Sequence, residues 1–202
     1  MKNIISLKTV MVYSCLMTAT VFALSSCNDT PKAEKVEDTK KVAEEHNDAK
    51  FNTANKEKDA QFLVNAAEIN MEEIKLGQLA QQNSTMKDVK DMGKMMETAH
   101  TKALADLTAL AKTKTITLPM ASTDNAQAAY KKLSEKPKKS FDLEYCNMMV
   151  SGHKDAVSAF EKASTESTDA DIKQWATTML PTLRTHLDQA ITCQKKCEKM
   201  KM

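Results

Sequence analysis

The sequence predicts an all-α protein, and three observations carry that reading. Only 3 Gly and 4 Pro occur in 202 residues, and aromatics make up 4%, too few turn formers and bulky strand residues for a sheet-rich fold. Good helix formers, above all Ala, Lys, Glu and Met, dominate the composition. Apolar residues recur at helical spacing in four long segments. The length suits one domain with a sizeable core rather than two full-sized ones.

Taken in order, residues 1–26 read as a secretory signal. A short basic start (Lys2, Lys8) precedes a mostly apolar run from Val10 to Leu24. Ser14, Thr18 and Thr20 interrupt that run, which is too short for a comfortable membrane span. Its end, Leu24-Ser25-Ser26-Cys27, resembles the bacterial lipobox. The resemblance implies a diacylglyceryl thioether on Cys27, cleavage before it, and anchorage to a membrane by acyl chains. Residues 27–59 are polar and charged, with Pro31 near the start, and are expected as a tether with a solvated His46, in which Lys32 to Lys50, free of Pro and Gly, can be partly helical. Residues 60–202 are expected as the folded domain.

Within it, Gln61 to Gln82 places Phe62, Ala66, Ile69, Leu76 and Ala80 on one helical face. Lys87 to Lys112 does the same with Val89, Met92, Met96, Ala103, Leu107 and Leu110. The short Asn83-Ser84-Thr85 link makes these two helices antiparallel neighbours. Phe141 to Ala163 forms a third helix around Phe141, Tyr145, Met148, Ala156 and Ala159. Ile172 to about Cys197 forms a fourth around Ile172, Trp175, Ala176, Met179, Leu183, Leu187 and Ala190. Thr165 to Asp169 supplies the turn and cap, and Pro181 is expected to kink or split the fourth helix near Leu180. The middle link, Thr113 to Ser140, holds an extended Ile116-Thr117-Leu118-Pro119 and a short helix from Asp124 to Leu133. It can run back along the bundle or fold over one end, and periodicity leaves both open.

Charge narrows the function classes. The net charge of +2 is carried by Lys2 and Lys8, so the chain beyond residue 26 is neutral, and Arg184 is its single arginine. Nucleic-acid binding is therefore not expected. No Gly-rich phosphate loop, Cys-His pair or Ser-nucleophile signature occurs, which argues weakly against an enzyme. There is a faint internal echo. Met95-Met96 with His100 and Ala103 matches Met148-Met149 with His153 and Ala156.

FLVNAAEINMEEIKLGQLA (Phe62 to Ala80), MMETAHTKALADLTALAKTKTITLP, FDLEYCNMMVSGHKDAVSAFEKA and LPTLRTHLDQA together resemble a bacterial envelope family. It is domain-of-unknown-function family 4142, grouped with the ferritin-like bundles, and some of its members are labelled outer-membrane proteins. The resemblance spans roughly residues 60 to 191. It implies a ferritin-like four-helix bundle with a long crossover between helices two and three, and a place in the cell envelope, lipid-anchored at the outer membrane or facing the periplasm. It also implies a carboxylate at Glu73 and histidines at His100, His153 and His186. An Asp usually precedes the first two histidines in the family, whereas this chain has Ala99 and Gly152, which puts any role needing an Asp-His dyad in doubt.

The helical wheel supports these positions independently. At about 100° per residue, Glu73 falls about 20° from Phe62, His100 about 20° from Val89, and His186 about 40° from Ile172, with His153 at the edge of its stripe. Inward carboxylates and imidazoles on facing helices are how bundles build metal sites. Three readings compete. The first is a buried polar network in which Glu73 pairs with a His or with Tyr145. The second is a mononuclear Zn, Cu or Fe site using Glu73, His100, His153 and His186. A di-iron ferroxidase centre is disfavoured, because Glu97-Thr98-Ala99-His100 is the one Glu-x-x-His match. Counted from the turns, His186 falls about 10 Å from the level of the other two. The third is a soft-metal site drawing on Met92, Met96 or Met149, although such methionines usually fill cores.

Cys193 and Cys197, four apart, are a candidate disulfide in an oxidising envelope, with inert thiols or a soft-metal pair as alternatives. Cys146 has no evident partner. Two functions are expected to compete: a non-catalytic envelope lipoprotein acting by binding or assembly, and a small metal-binding protein.

Overall fold

The computed structural model describes residues 37–200, and these are helical throughout apart from their links. The signal segment and Cys27 lie outside the described residues. Six helices follow in order among those described: α1 (Thr39–Lys50), α2 (Ala54–Asn83), α3 (Lys87–Lys114), α4 (Asp124–Ser134), α5 (Lys138–Glu166) and α6 (Ala170–Lys199). The four longest are the four predicted amphipathic segments, each extended by a few residues.

Side-chain chemistry sets the ends of several. Asp169 accepts from the Asp171 and Ile172 amides at the start of α6, as the turn composition predicted. Thr123 accepts from the Ala126 amide at the start of α4. Helix α3 ends on Thr115 in the left-handed region, at φ 56°, while the Ile116 amide reaches back to the Ala111 carbonyl, a geometry more often given to Gly. Helix α6 is not split at Pro181: it runs unbroken from Ala170 to Lys199. The reason is the face on which Pro181 lies. Both Pro181 and Thr177, whose carbonyl loses its amide partner, are exposed, so water can replace the missing bond.

Two hairpins, α2–α3 and α5–α6, pack so that α2 meets α5 and α3 meets α6. The core divides by level. At one end, Leu76, Met92, Tyr145 and Cys193 share a cluster. At the other, Leu63, Leu107, Phe160 and Ile172 share a second. The starts of α3 and α5 therefore lie at the same end, and these helices run parallel. The link between them returns along the whole bundle, which resolves the alternative that periodicity left open.

Residues 38–59, expected as a tether, are instead built into the domain. Helix α1 packs on α2 with Ala43 buried, and Asn47, 3% exposed, exchanges two hydrogen bonds with the Thr117 backbone. Glu68 of α2 binds Lys40 of α1 at 2.5 Å, together with Thr123 and Asn125 at the start of α4. The returning link is thus pinned between α1 and α2. Asp59, at the other end of α2, accepts from Thr168 and from the Asp169 amide in the α5–α6 turn. His46 is exposed, as its charged surroundings implied.

Candidate metal centre

Midway between the two apolar clusters, three helices each supply one histidine. His100 comes from α3, His153 from α5 and His186 from α6, and they are 3%, 1% and 5% exposed. Their ring centroids form a nearly equilateral triangle with edges of 5.5, 5.5 and 5.4 Å. One ligating nitrogen of each lies within 4.8 Å of those of the other two. The structure thus brings together all three predicted histidines.

His186 does not stand apart as turn counting implied. From the α5–α6 turn, His186 lies about three residues, or about 4.5 Å, further along its helix than His153 does. Side chains lean toward the N-terminus of their own helix. In antiparallel α5 and α6 the two leans point toward each other and close that offset. The faint echo also gains a physical sense. Helices α3 and α5 start at the same end, so similar spacing from their starts brings His100 and His153 to nearly one level.

The outer nitrogens of two rings are held. His100 Nδ1 lies 2.9 Å from Asn70 Oδ1, and His153 Nδ1 lies 3.0 Å from the Met149 carbonyl. Both partners accept, so each ring carries its proton on Nδ1. His100 Nε2 and His153 Nε2 are then left with lone pairs and no hydrogen-bond partner, and His186 Nδ1 is also unpartnered. Burial, reinforced by its neighbours His153 and His186, holds the His100 acid ionisation well below the usual range. Burial and the nearby His186 lower that of His153 to about 4, and burial lowers that of His186. The three rings are therefore neutral at pH 7, the form that ligates metals.

Glu73 sits behind this triangle. Its Oε1 is 3.6 Å from His153 Nδ1, beyond hydrogen-bond range, and its Oε2 is unpartnered. Burial, with Glu72 adding repulsion, pushes its ionisation well above the usual carboxyl range. Gly152 explains how the carboxyl fits, since a Cβ there would stand 3.3 Å from Glu73 Oε1. The departure from an Asp at this position thus leaves room for Glu73. Tyr145 is fully buried and its hydroxyl has no hydrogen-bond partner. Burial, with Glu73 nearby, pushes its ionisation well above the ordinary phenol range.

Asn70, which holds the His100 ring, is the residue of this cluster that sequence reasoning passed over. Its signal was available: it lies three residues before Glu73 and so shares that face. Met92, Met96 and Met149 lie in the apolar core toward the α3 and α5 starts. Cys193 and Cys197 carry free thiols, as does Cys146, which lies against them. Intact α6 holds the Cβ directions of residues four apart nearly parallel, which opposes a bond between the first two.

Comparison with known proteins adds the following. A family model described as a domain of unknown function (DUF4142) matches residues 41–192. Neither a curated protein nor a solved structure matches the chain.

Proposed function

Because this chain belongs to the DUF4142 family, whose description assigns no activity, we propose its function from the site itself: it binds a divalent transition metal, Zn or Cu, through His100, His153 and His186. The observation that carries this reading is the set of three buried rings, each with an unpartnered nitrogen, whose ligand atoms lie within 4.8 Å of one another. A network serving packing alone would satisfy its members, because unpaired buried polar atoms are costly. Holding the far nitrogen of a ligand with a carbonyl or amide oxygen is the support that metal-bound imidazoles receive. Asn70 and the Met149 carbonyl supply it here.

Charge completes the argument. Three neutral imidazoles leave a divalent ion uncompensated in an apolar core. Glu73, beside His153, is the carboxyl placed to lose its proton when such an ion arrives. The rings are nearly inaccessible to solvent, which supports holding or carrying a metal rather than turning over a substrate. The parallel α3 and α5 joined by a long return link support a ferritin-like arrangement, although the donor set is unlike a carboxylate-rich di-iron centre. The lipobox-like Cys27 supports anchorage at the cell envelope. Cys27→Ala should leave uncleaved precursor without lipid, and normal processing would contradict that part.

The deciding experiment is elemental analysis of protein purified without a His tag. About one Zn or Cu per chain, lost in His153→Ala and kept in Cys146→Ser, supports the reading. A metal-free protein whose melting temperature neither ion raises overturns it.

A further inference from the structure

A second cluster of metal-type donors lies at the end of the bundle where α3 and α5 start and α2 and α6 finish. Cys146 of α5 and Cys193 and Cys197 of α6 are 0%, 5% and 3% exposed, and their sulfurs lie within 4.8 Å of one another. The Cys146 and Cys197 sulfurs are 3.7 Å apart, and Cys197 Sγ is 3.6 Å from the Met86 thioether. Four sulfurs placed tetrahedrally about 2.3 Å from one ion would stand about 3.8 Å apart. The Cys146–Cys197 and Cys197–Met86 spacings are close to that, and the first is well beyond the length of an S–S bond. Cys146 lies seven residues before His153, and Cys193 seven after His186. Both intervals put the sulfurs about 10 Å along the bundle from the imidazoles, so the two clusters cannot share an ion.

We propose that Cys146, Cys193 and Cys197, with Met86 beside them, form a separate site for a soft monovalent cation, Cu(I). Thiolates hold Zn2+ and Cu(I) alike, and the thioether beside them favours the softer Cu(I). Two surface hollows reach the cluster. One is lined by Met92, Met95 and Cys193 together with Asp88, Asp91 and Asp188, and Lys196 there pairs with Asp88. The other is lined by Met86, Cys197 and Asp142 with Lys138 and Lys139. On the Cys193 side, carboxylates outnumber lysines and two thioethers stand beside the buried sulfur. Binding is redox-neutral: each thiol that becomes a ligand releases its proton to water, and the copper stays Cu(I). Cys193 and Cys197 lie beyond the residues that the family model matches, so this site rests on the chain's own residues and not on the histidine centre.

The test is anaerobic titration of the reduced protein with Cu(I) against a Cu(I)-specific chelator. About one tightly held Cu(I) is expected, with affinity weakened at least on the order of 100-fold in Cys193→Ser and in Cys146→Ser. His153→Ala should retain it, which separates this outcome from failure of the histidine centre. Cys193→Ser, beside the open hollow, guards against misfolding of the more buried variant, and helical circular dichroism checks both. Absent uptake, uptake unchanged in both serine variants, or preferential loading of Zn2+ on the same thiols would overturn the proposal. So would formation of a Cys146–Cys197 disulfide in place of a bound ion.

Discussion

Gly77 and Gly93 face each other across α2 and α3, backbone against backbone. A Cβ on Gly77 would stand 2.5 Å from the Gly93 carbonyl oxygen, and one on Gly93 would stand 2.6 Å from the Gly77 carbonyl oxygen. Both obstacles are backbone, so neither can swing aside. The absence of Cβ atoms here lets α2 and α3 pack closely in the same pair of helices that joins Asn70 to His100.

Gly77→Ala should accordingly destabilise the protein by about 1–3 kcal/mol, although Ala is the better helix former by about 1 kcal/mol. The sign discriminates. Thermal or urea unfolding that shows Gly77→Ala to be as stable as the parent would contradict the close approach. Gly93→Ala should behave alike, and the double variant should cost less than the sum because both changes spread one contact.

Asn70 holds His100 from behind, so its loss should act on the metal more than on the fold. Asn70→Ala should weaken metal affinity about 10–100-fold, with a stability cost of about 1–3 kcal/mol for the orphaned ring nitrogen. Isothermal titration of the folded variant with Zn2+ separates the two effects. Unchanged affinity would remove Asn70 from the site.

The long helices were legible because their stripes follow the helical period, and the turn at Asp169 because a capping carboxylate has a local signature. Helix α1 was not. It offers little beyond Val42 and Ala43 as apolar surface, and it docks through Asn47 and Lys40, whose partners are remote in sequence. The direction of α5 hung on a link whose path depends on where Glu68 finds Thr123. Glu73 and the histidines could be placed on inward faces, yet which ring meets which depends on side-chain lean, as His186 shows. Cys146 was opaque for the same reason: its partners arrive from a helix that begins well after it in the chain.

The site also predicts a pH dependence for metal-free protein. The three histidines ionise below their ordinary 6.5 in the fold, so below pH 6.5 the unfolded chain binds more protons. Their contribution to stability is complete above pH 6.5 and is lost as pH falls from there toward about 4, the His153 value. Glu73 acts in the opposite sense. Its ionisation is raised above the ordinary 4.5, so stability is present below that pH and declines as pH rises beyond it. Glu73→Gln removes only the second effect. With chelator present, it should melt higher than the parent at pH 7 and nearly level with it at pH 4. Equal melting temperatures at pH 7 would show that the Glu73 carboxyl is not held protonated.

The docking of α1 gives a local prediction. Asn47 Nδ2 donates to the Thr117 carbonyl at 2.9 Å, and the Thr117 amide donates to Asn47 Oδ1 at 2.8 Å. One side chain thus completes both backbone groups of a residue in the returning link. Asn47→Ala leaves that pair unsatisfied under α1, at a cost of about 1–3 kcal/mol. Since α1 packs on α2 and lies outside the paired hairpins, the cost should appear as local opening rather than global unfolding. Hydrogen exchange over residues 39–50 and around Thr117 should quicken on the order of 10-fold or more, while the interior of α5 keeps its protection. If α1 instead exchanges freely in the parent protein, the segment is a tether after all, and Asn47 contributes nothing to the domain.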